Sequence, residues 1–229
     1  MRIILLGYKD SGKSSTGNTI LGTEEFRLER TAQCEKRQGD VAGRQVTVVN
    51  TPGWWVNQPL KNTPEMIKQE IVLSTSLCPP GPHVLLLVID VVDSCPADVC
   101  KYIEEHMQLL SERVWSHTII LFTFGDDLLD KSIEQYIESE GEALQRLVEK
   151  CGNRYHVFNN ENRGDDTQVT ELLLKIEEMV AGDTGRCLEI DRRVLEETEK
   201  KKRTQEERAT RRQMKVKKER ESIRSMMGM

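Results

Sequence analysis

The 229-residue chain is long enough for one well-cored α/β domain and an appendage, but short of two full domains. Its formal net charge is -5, yet residues 191–229 hold 14 Lys or Arg against 8 Asp or Glu, so an acidic body precedes a basic tail. No apolar run approaches the ~20 residues that span a bilayer, the first residues do not form a signal peptide, and the six cysteines lack metal-site spacing. We therefore expect a cytoplasmic protein with free thiols.

Apolar runs bounded by turn signals alternate with stretches of helical period through residues 1–186. The runs are 3–6, 46–49, 84–89, 118–122 and 155–158. This alternation predicts an α/β fold of three layers, a mostly parallel sheet with helices on both faces. A short polar strand candidate at 34–41, followed by Gly43, predicts a hairpin that adds an antiparallel edge strand. The predicted sheet has about six strands.

The segment 7–14, GYKDSGKS, fits the phosphate-binding pattern G-x-x-x-x-G-K-[ST] and lies between a strand and a helix that ends near Gly22. The glycines let backbone N–H groups turn inward, and the helix start adds partial positive charge. Lys13 is expected to reach the β- and γ-phosphates, and Ser14 to bind Mg²⁺. A nucleoside triphosphate with Mg²⁺ is the predicted ligand. Its predicted contacts in this loop are Gly7, Asp10, Ser11, Gly12, Lys13, Ser14 and Ser15.

The candidate residue for selecting the base is Asp126, in the segment 123–127, TFGDD. This segment follows an apolar strand, and open α/β sheets bind ligands beyond the carboxyl ends of their strands. A carboxylate there can accept hydrogen bonds from both N1–H and the exocyclic amine of guanine, a donor pair that adenine lacks. A helix-capping role for Asp126 or Asp127 is equally compatible with the residues alone.

The last part of the chain predicts a long charged helix. Residues 188–224 contain no Gly or Pro, and Glu precedes Lys or Arg by four positions repeatedly. Between Leu195 and Met214 the only apolar residue is Ala209, so no coiled-coil seam is expected and most of the helix should lie in water. Acids interleave with the bases and aromatic residues are absent, which argues against nucleic-acid binding and limits membrane contact to a peripheral one. We place the boundary between domain and helical extension at 186/187.

Several ordered segments resemble the GTPases of the immunity-associated protein (GIMAP) family over about residues 1–190. They are 7–22 (GYKDSGKSSTGNTILG), 34–37 (CEKR), 43–44 (GR), 50–53 (NTPG), 81–83 (GPH), 121–128 (LFTFGDDL) and 158–160 (FNN). The resemblance implies a P-loop GTPase fold that binds GTP or GDP with Mg²⁺. It also implies pairing across the nucleotide face, with a second copy of the chain or with related family members.

The resemblance assigns further residues to the site. It puts the segment TFGD in the place of the guanine motif, so that Thr123 and Asp126 become base contacts. It puts Asn159 and Asn160 in the last loop near the base, although an Asn pair is also a common turn former. Gly53 joins the nucleotide contacts, and Thr31 is the expected switch threonine for Mg²⁺. These additional assignments follow from the resemblance alone.

Two departures from the family pattern bear on hydrolysis. Asn50 replaces the usual Asp, which is expected to weaken the coupling of Mg²⁺ to the γ-phosphate. Trp54 follows Gly53 where a water-orienting Gln would stand, so no catalytic residue is assigned. Trp54 and Trp55 are equally compatible with partner binding and with loop packing. The segment 90–94, DVVDS, offers acids where relatives often carry a basic residue, so no arginine donated in trans is assigned.

The sequence thus suggests three candidate functions. The first is a slow GTPase whose GTP-bound form self-associates. The second is a GTP-binding scaffold with little or no hydrolysis, which Asn50 and the acidic segment favour. The third, an ATP-dependent kinase, is disfavoured by Asp126 and by the lack of an evident acceptor site.

Overall fold

The computed structural model describes residues 1–29, 31–159, 166–182 and 186–226. The chain divides into two compact units, Met1–Ile190 and Asp191–Met229. This division lies a few residues beyond the boundary predicted at 186, because residues 187–190 pack within the first unit. In particular, Leu188 is buried in its core and Ile190 packs against that core.

Six strands form one mixed sheet in the first unit. They are β1 (Arg2–Leu6), β2 (Glu35–Val41), β3 (Arg44–Asn50), β4 (Val84–Asp90), β5 (Thr118–Thr123) and β6 (Tyr155–Val157). Their order is β2-β3-β1-β4-β5-β6, with β2 antiparallel to β3 and the other pairs parallel. The predicted sheet, including its antiparallel edge hairpin, is confirmed.

Helices cover both faces of the sheet. They are α1 (Lys13–Leu21), α2 (Glu65–Leu73), α3 (Ala97–Met107), α4 (Ile133–Glu140), α5 (Glu142–Lys150) and α6 (Asp166–Gly182). Alternate residues of β1 point to opposite faces, so Ile3 packs with α1 and α6 while Ile4 packs with α2, α3 and α5. All seven residues of β4 are buried, which explains its unbroken apolar run.

Arg2, at the amino end of β1, is bonded to the segment 81–83. Its backbone N–H donates to Nδ1 of His83 (2.9 Å), and its Nε donates to the carbonyl of Gly81 (2.6 Å). The Leu188 N–H donates to the carbonyl of Pro82 (2.9 Å), and a Cβ added to Gly81 would lie 2.2 Å from the Leu188 carbonyl oxygen. The Gly-Pro-His segment therefore joins the start of the sheet to the end of the first unit.

Replacing Gly81 with Ala should lower the free energy of unfolding by about 1–3 kcal/mol, because the new methyl group meets backbone that cannot move without displacing buried Leu188. Urea denaturation of purified protein measures this change. Gly182→Ala is the matched control, since no atom of the described residues lies within 4 Å of the added Cβ. Equal stabilities for the two variants would contradict the proposed close contact.

The second unit contains α7 (Arg192–Met226). Its side chains through residue 223 are mostly exposed, and its ion pairs include Arg192–Glu196 (2.8 Å) and Arg203–Glu207 (3.7 Å). Such exposed pairs contribute little each, so the helix depends chiefly on its many good helix formers. Within the described part of the chain, no helix has the length and apolar character needed to cross a membrane.

Candidate functional site

The loop between β1 and α1 has the geometry of a phosphate cradle. Gly12 adopts φ 90°, and a Cβ on Gly7 (φ 152°) would lie 2.5 Å from the Val88 carbonyl oxygen, so both positions need glycine. Helix α1 begins at Lys13 and has no acidic residue in its first turn, so its N-terminal partial positive charge is not offset there. The loop therefore presents backbone N–H groups to an anion.

Lys13 is the buried cation of this loop. Its side chain is 7% exposed and its Nζ donates to the carbonyl of Tyr8 (2.5 Å). Burial lowers the pKa of Lys13 to about 7, with nearby Asp10 opposing the shift. A Cβ added to Gly53 would lie 2.8 Å from this Nζ, so the segment after β3 closes over the lysine.

Ser14 and Asn50 meet beside the lysine. The Asn50 Nδ2 donates to the Ser14 Oγ (3.0 Å), while the buried Oδ1 of Asn50 has no hydrogen-bond partner among the described residues. An unpartnered buried acceptor is costly unless a ligand or water supplies a donor. The pair therefore fits a hydrated Mg²⁺ beside Ser14, although neither group brings a charge to the metal. No cluster of three His, Cys, Asp or Glu fit to hold a metal occurs in the described ranges.

A pocket opens in front of these groups. It is lined by Lys9, Asp10, Gly12, Lys13, Ser14, Ser15, Leu28, Glu29, Thr31, Asn50, Thr51 and Gly53. Most residues that the sequence assigned to the phosphates and metal, Thr31 included, thus face one space. Lys9 and Thr51 lie in segments that the sequence analysis selected, but neither residue was assigned a role. No sequence signal marked Leu28 or Glu29.

The predicted base-binding segments lie at the same sheet edge. Thr123 Oγ1 donates to the carbonyl of Ser11 (2.9 Å), which ties the end of β5 to the phosphate loop. A Cβ on Gly125 would lie 2.5 Å from Oδ1 of Asn159, so the two loops touch next to half-buried Asp126. Asn159 is held through its N–H, which donates to Oε1 of Gln168 (3.0 Å). Asn160 lies outside the described residues.

Tyr8 and Asp90 form a buried pair that the sequence analysis missed. The Tyr8 hydroxyl donates to Oδ2 of Asp90 (3.0 Å), and the Asp93 N–H donates to Oδ1 (2.8 Å). Burial raises the pKa of both side chains. Asp90 therefore points inward and supports the phosphate loop.

The two tryptophans after Gly53 have opposite environments. Trp54 is 2% exposed and stacks on the His106 ring of α3, with ring centroids 4.5 Å apart. Trp55 is 48% exposed and carries Nζ of Lys9 at 3.6 Å from its ring centroid. Trp54 therefore packs inside the protein, as the loop-packing alternative expects, whereas the Trp55 ring is accessible from solvent.

His106 fixes the position of Trp54 through a neutral ring. Its Nδ1 lies 2.6 Å from the Tyr102 carbonyl, which can only accept, so Nε2 accepts from the Thr63 hydroxyl at 2.7 Å. Burial lowers the pKa of His106 below its usual value near 6.5. Protonation would place a charge in the core and oppose the Thr63 hydrogen bond.

The free energy of unfolding should therefore fall as pH drops below about 6.5, where the unfolded chain binds a proton that folded His106 does not. Each buried neutral histidine adds up to about 1.4 kcal/mol per pH unit until the folded-state pKa is passed. Urea titrations between pH 7.5 and 5 measure the slope. A His106→Gln variant should be less stable at pH 7 and show a shallower slope; an unchanged slope would contradict the assignment.

Sequence comparison identifies the family of this domain. The AIG1 family model matches residues 1–209. The chain belongs to the AIG1 family. It is 34% identical over 195 residues to GTPase IMAP family member 8 of Homo sapiens and 33% identical over 181 residues to that of Mus musculus, covering 81% and 76% of this chain. The matched regions are only 28% and 26% of those relatives, so this chain corresponds to about a quarter of their length.

Plant relatives extend the match. Immune-associated nucleotide-binding protein 10 of Arabidopsis thaliana is 27% identical over 218 residues, which cover 89% of this chain and 46% of that protein. The resemblance drawn from the ordered segments is thus confirmed at the level of the family.

Solved structures share the fold at low sequence identity. Toc33 of Arabidopsis thaliana in complex with GDP and Mg²⁺ has a TM-score of 0.61 at 17% identity, covering 83% of this chain and 88% of that one. A structure described as showing that dimerization is important for the GTPase activity of chloroplast translocon components has a TM-score of 0.59 at 16% identity, covering 78% and 82%. These likenesses establish the P-loop GTPase fold.

Proposed function

We propose that this chain is a guanine-nucleotide-binding domain that holds GTP or GDP with Mg²⁺, hydrolyses GTP slowly and self-associates through its nucleotide face. The observation that carries the proposal is the contact between Thr123 Oγ1 and the Ser11 carbonyl, which joins the phosphate cradle to the Asp126 loop at one sheet edge. A ligand that spans both loops has a phosphate chain at one end and a hydrogen-bonding base at the other.

The phosphate chain is assigned to the pocket around Lys13. In this assignment, backbone N–H groups of the loop and the start of α1 bind the α- and β-phosphates, and Lys13 moves from the Tyr8 carbonyl to phosphate oxygens. Ser14 and Thr31 would hold Mg²⁺ directly, with Asn50 accepting from one of its waters. Bound Mg²⁺ neutralises phosphate charge. Structures of Toc33 with GDP and Mg²⁺ support this ligand set by analogy of fold.

Asp126→Asn should weaken GTP binding at least about tenfold, because the amide replaces an acceptor of two guanine donors with a group that repels one of them. The same variant should gain affinity for xanthosine triphosphate, whose 2-carbonyl accepts from the new amide. Competition against a fluorescent guanine nucleotide measures both affinities.

Asp127→Asn is the matched control for that experiment, since Asp127 is the exposed neighbour. It should leave the base preference unchanged. If both variants lost only thermal stability and kept their preference for GTP, the helix-capping interpretation would replace the guanine-binding one.

Slow hydrolysis is supported by what surrounds the pocket. Among the described residues that line it, none is a glutamine or histidine that could orient water, and Trp54 is buried against His106. Asp90 is an acid that faces Tyr8 of its own chain, so this position offers no arginine to a second molecule. A GTP-binding scaffold is the second candidate, favoured by the neutral amide of Asn50. Tight GTP binding with negligible phosphate release at every protein concentration would select the scaffold.

Self-association is supported by apolar side chains near the pocket. Leu28, which lines it, is 70% exposed, Trp55 is 48% exposed, and Val92, just past β4, is 64% exposed. Isolated exposed apolar residues are common, but these three occur in segments next to the same ligand site. The description of Toc33 as dimerizing supports self-association by analogy of fold.

Val92→Glu should prevent dimerization with a non-hydrolysable GTP analogue while leaving the monomer's GTP affinity within about twofold, because an interfacial charge without a partner is costly and Val92 does not line the pocket. Sedimentation velocity measures the oligomer, and phosphate release across protein concentrations measures its effect on hydrolysis. Leu174→Glu on α6, 46% exposed, is the control. If the Val92→Glu variant still dimerized, the interface would lie elsewhere on the surface.

A further inference from the structure

Lys9 places a second ammonium group beside the phosphate pocket. It lies inside the phosphate loop, four residues before Lys13, and both lysines line the pocket. Its Nζ is 3.6 Å from the ring centroid of Trp55. The contact keeps the charge of Lys9 close to the pocket.

The backbone of Lys9 is bonded to the segment that follows β3. Its N–H donates to the Trp54 carbonyl (2.7 Å), and a Cβ on Gly53 would lie 2.7 Å from that same nitrogen. The segment that Lys9 touches begins at Asn50, which is bonded to Ser14. Because Ser14 is the residue that would hold Mg²⁺ and Lys13 is assigned to the β- and γ-phosphates, we place the segment 50–55 on the γ side.

The other charges around the pocket are compatible with phosphate binding by Lys9. Asn50 and Thr51 are neutral, while Asp10 and Glu29 are acidic, so among the described lining residues the positive side chains are those of Lys9 and Lys13. A cation on a half-exposed aromatic ring is held weakly, whereas an ammonium bound to phosphate oxygens makes charge-assisted hydrogen bonds. A terminal phosphate should therefore draw Lys9 away from Trp55.

We propose that Lys9 binds the γ-phosphate and leaves Trp55 when a triphosphate enters, so that this residue makes the domain prefer GTP to GDP. The inference rests on the proposed function, since it deepens the phosphate assignment of the same pocket. It gives Trp55 a role as the resting place of Lys9 in the absence of a γ-phosphate.

The test compares Lys9→Met, which keeps the length of the stem on Trp55 but removes the charge, with Lys9→Arg, which keeps the charge. Affinities for GDP and for a non-hydrolysable GTP analogue, both with Mg²⁺, are measured by calorimetry on the whole chain. Lys9→Met should bind the analogue about tenfold more weakly and GDP within about twofold of wild type. Lys9→Arg should retain most of the preference. Lys61→Met, at an exposed site outside the pocket, should change neither affinity.

Tryptophan fluorescence gives a second readout, which would not change if Lys9 had a purely structural role. The analogue, but not GDP, should change the emission of the wild type, and this change should be absent in Trp55→Phe and in Lys9→Met. Equal losses for both nucleotides, or no loss in Lys9→Met, would overturn the role of Lys9. If the wild type bound neither nucleotide, the proposed function itself would fail, which is a distinct result.

Discussion

The contact of the phosphate loop with the ends of the central strands is the constraint on which the rest of the site depends. Gly7 lies against the Val88 carbonyl of β4, where a Cβ would be 2.5 Å from that oxygen, and the Ser11 carbonyl accepts from Thr123 of β5. These contacts hold the loop against a fully buried strand and the end of β5, which fixes its backbone beside the pocket. A rigid scaffold of this kind orients the phosphate groups before the ligand arrives.

The same arrangement connects the phosphate loop to the segment after β3. Lys9 bonds the Trp54 backbone, and Trp54 stacks on His106, which in turn is held by Thr63 and Tyr102. A chain of contacts thus runs from the γ side of the pocket to α3. If the proposed nucleotide displaced Gly53, this buried stack would oppose the movement, which offers a route by which the ligand could affect the packing of α3.

The site combines neutral and charged groups in an unusual proportion for metal-dependent phosphate chemistry. Asn50 replaces a carboxylate beside Ser14, leaving one buried acceptor without a partner among the described residues. The pocket instead gains a lysine at position 9. Under the proposed function, a neutral amide beside the metal and two lysines in the pocket would favour long retention of GTP, which suits both the slow GTPase and the scaffold.

The sequence by itself determined the sheet, the phosphate loop and the family, because strand periodicity and the G-x-x-x-x-G-K-S spacing are local patterns. It also predicted the charged helix, because the absence of Gly and Pro is local. It did not predict that Trp54 is buried while Trp55 is exposed, or that Asp90 faces Tyr8. Those orientations depend on contacts between residues distant in the chain, such as Trp54 with His106, and only the packing of α3 and the strands decided them.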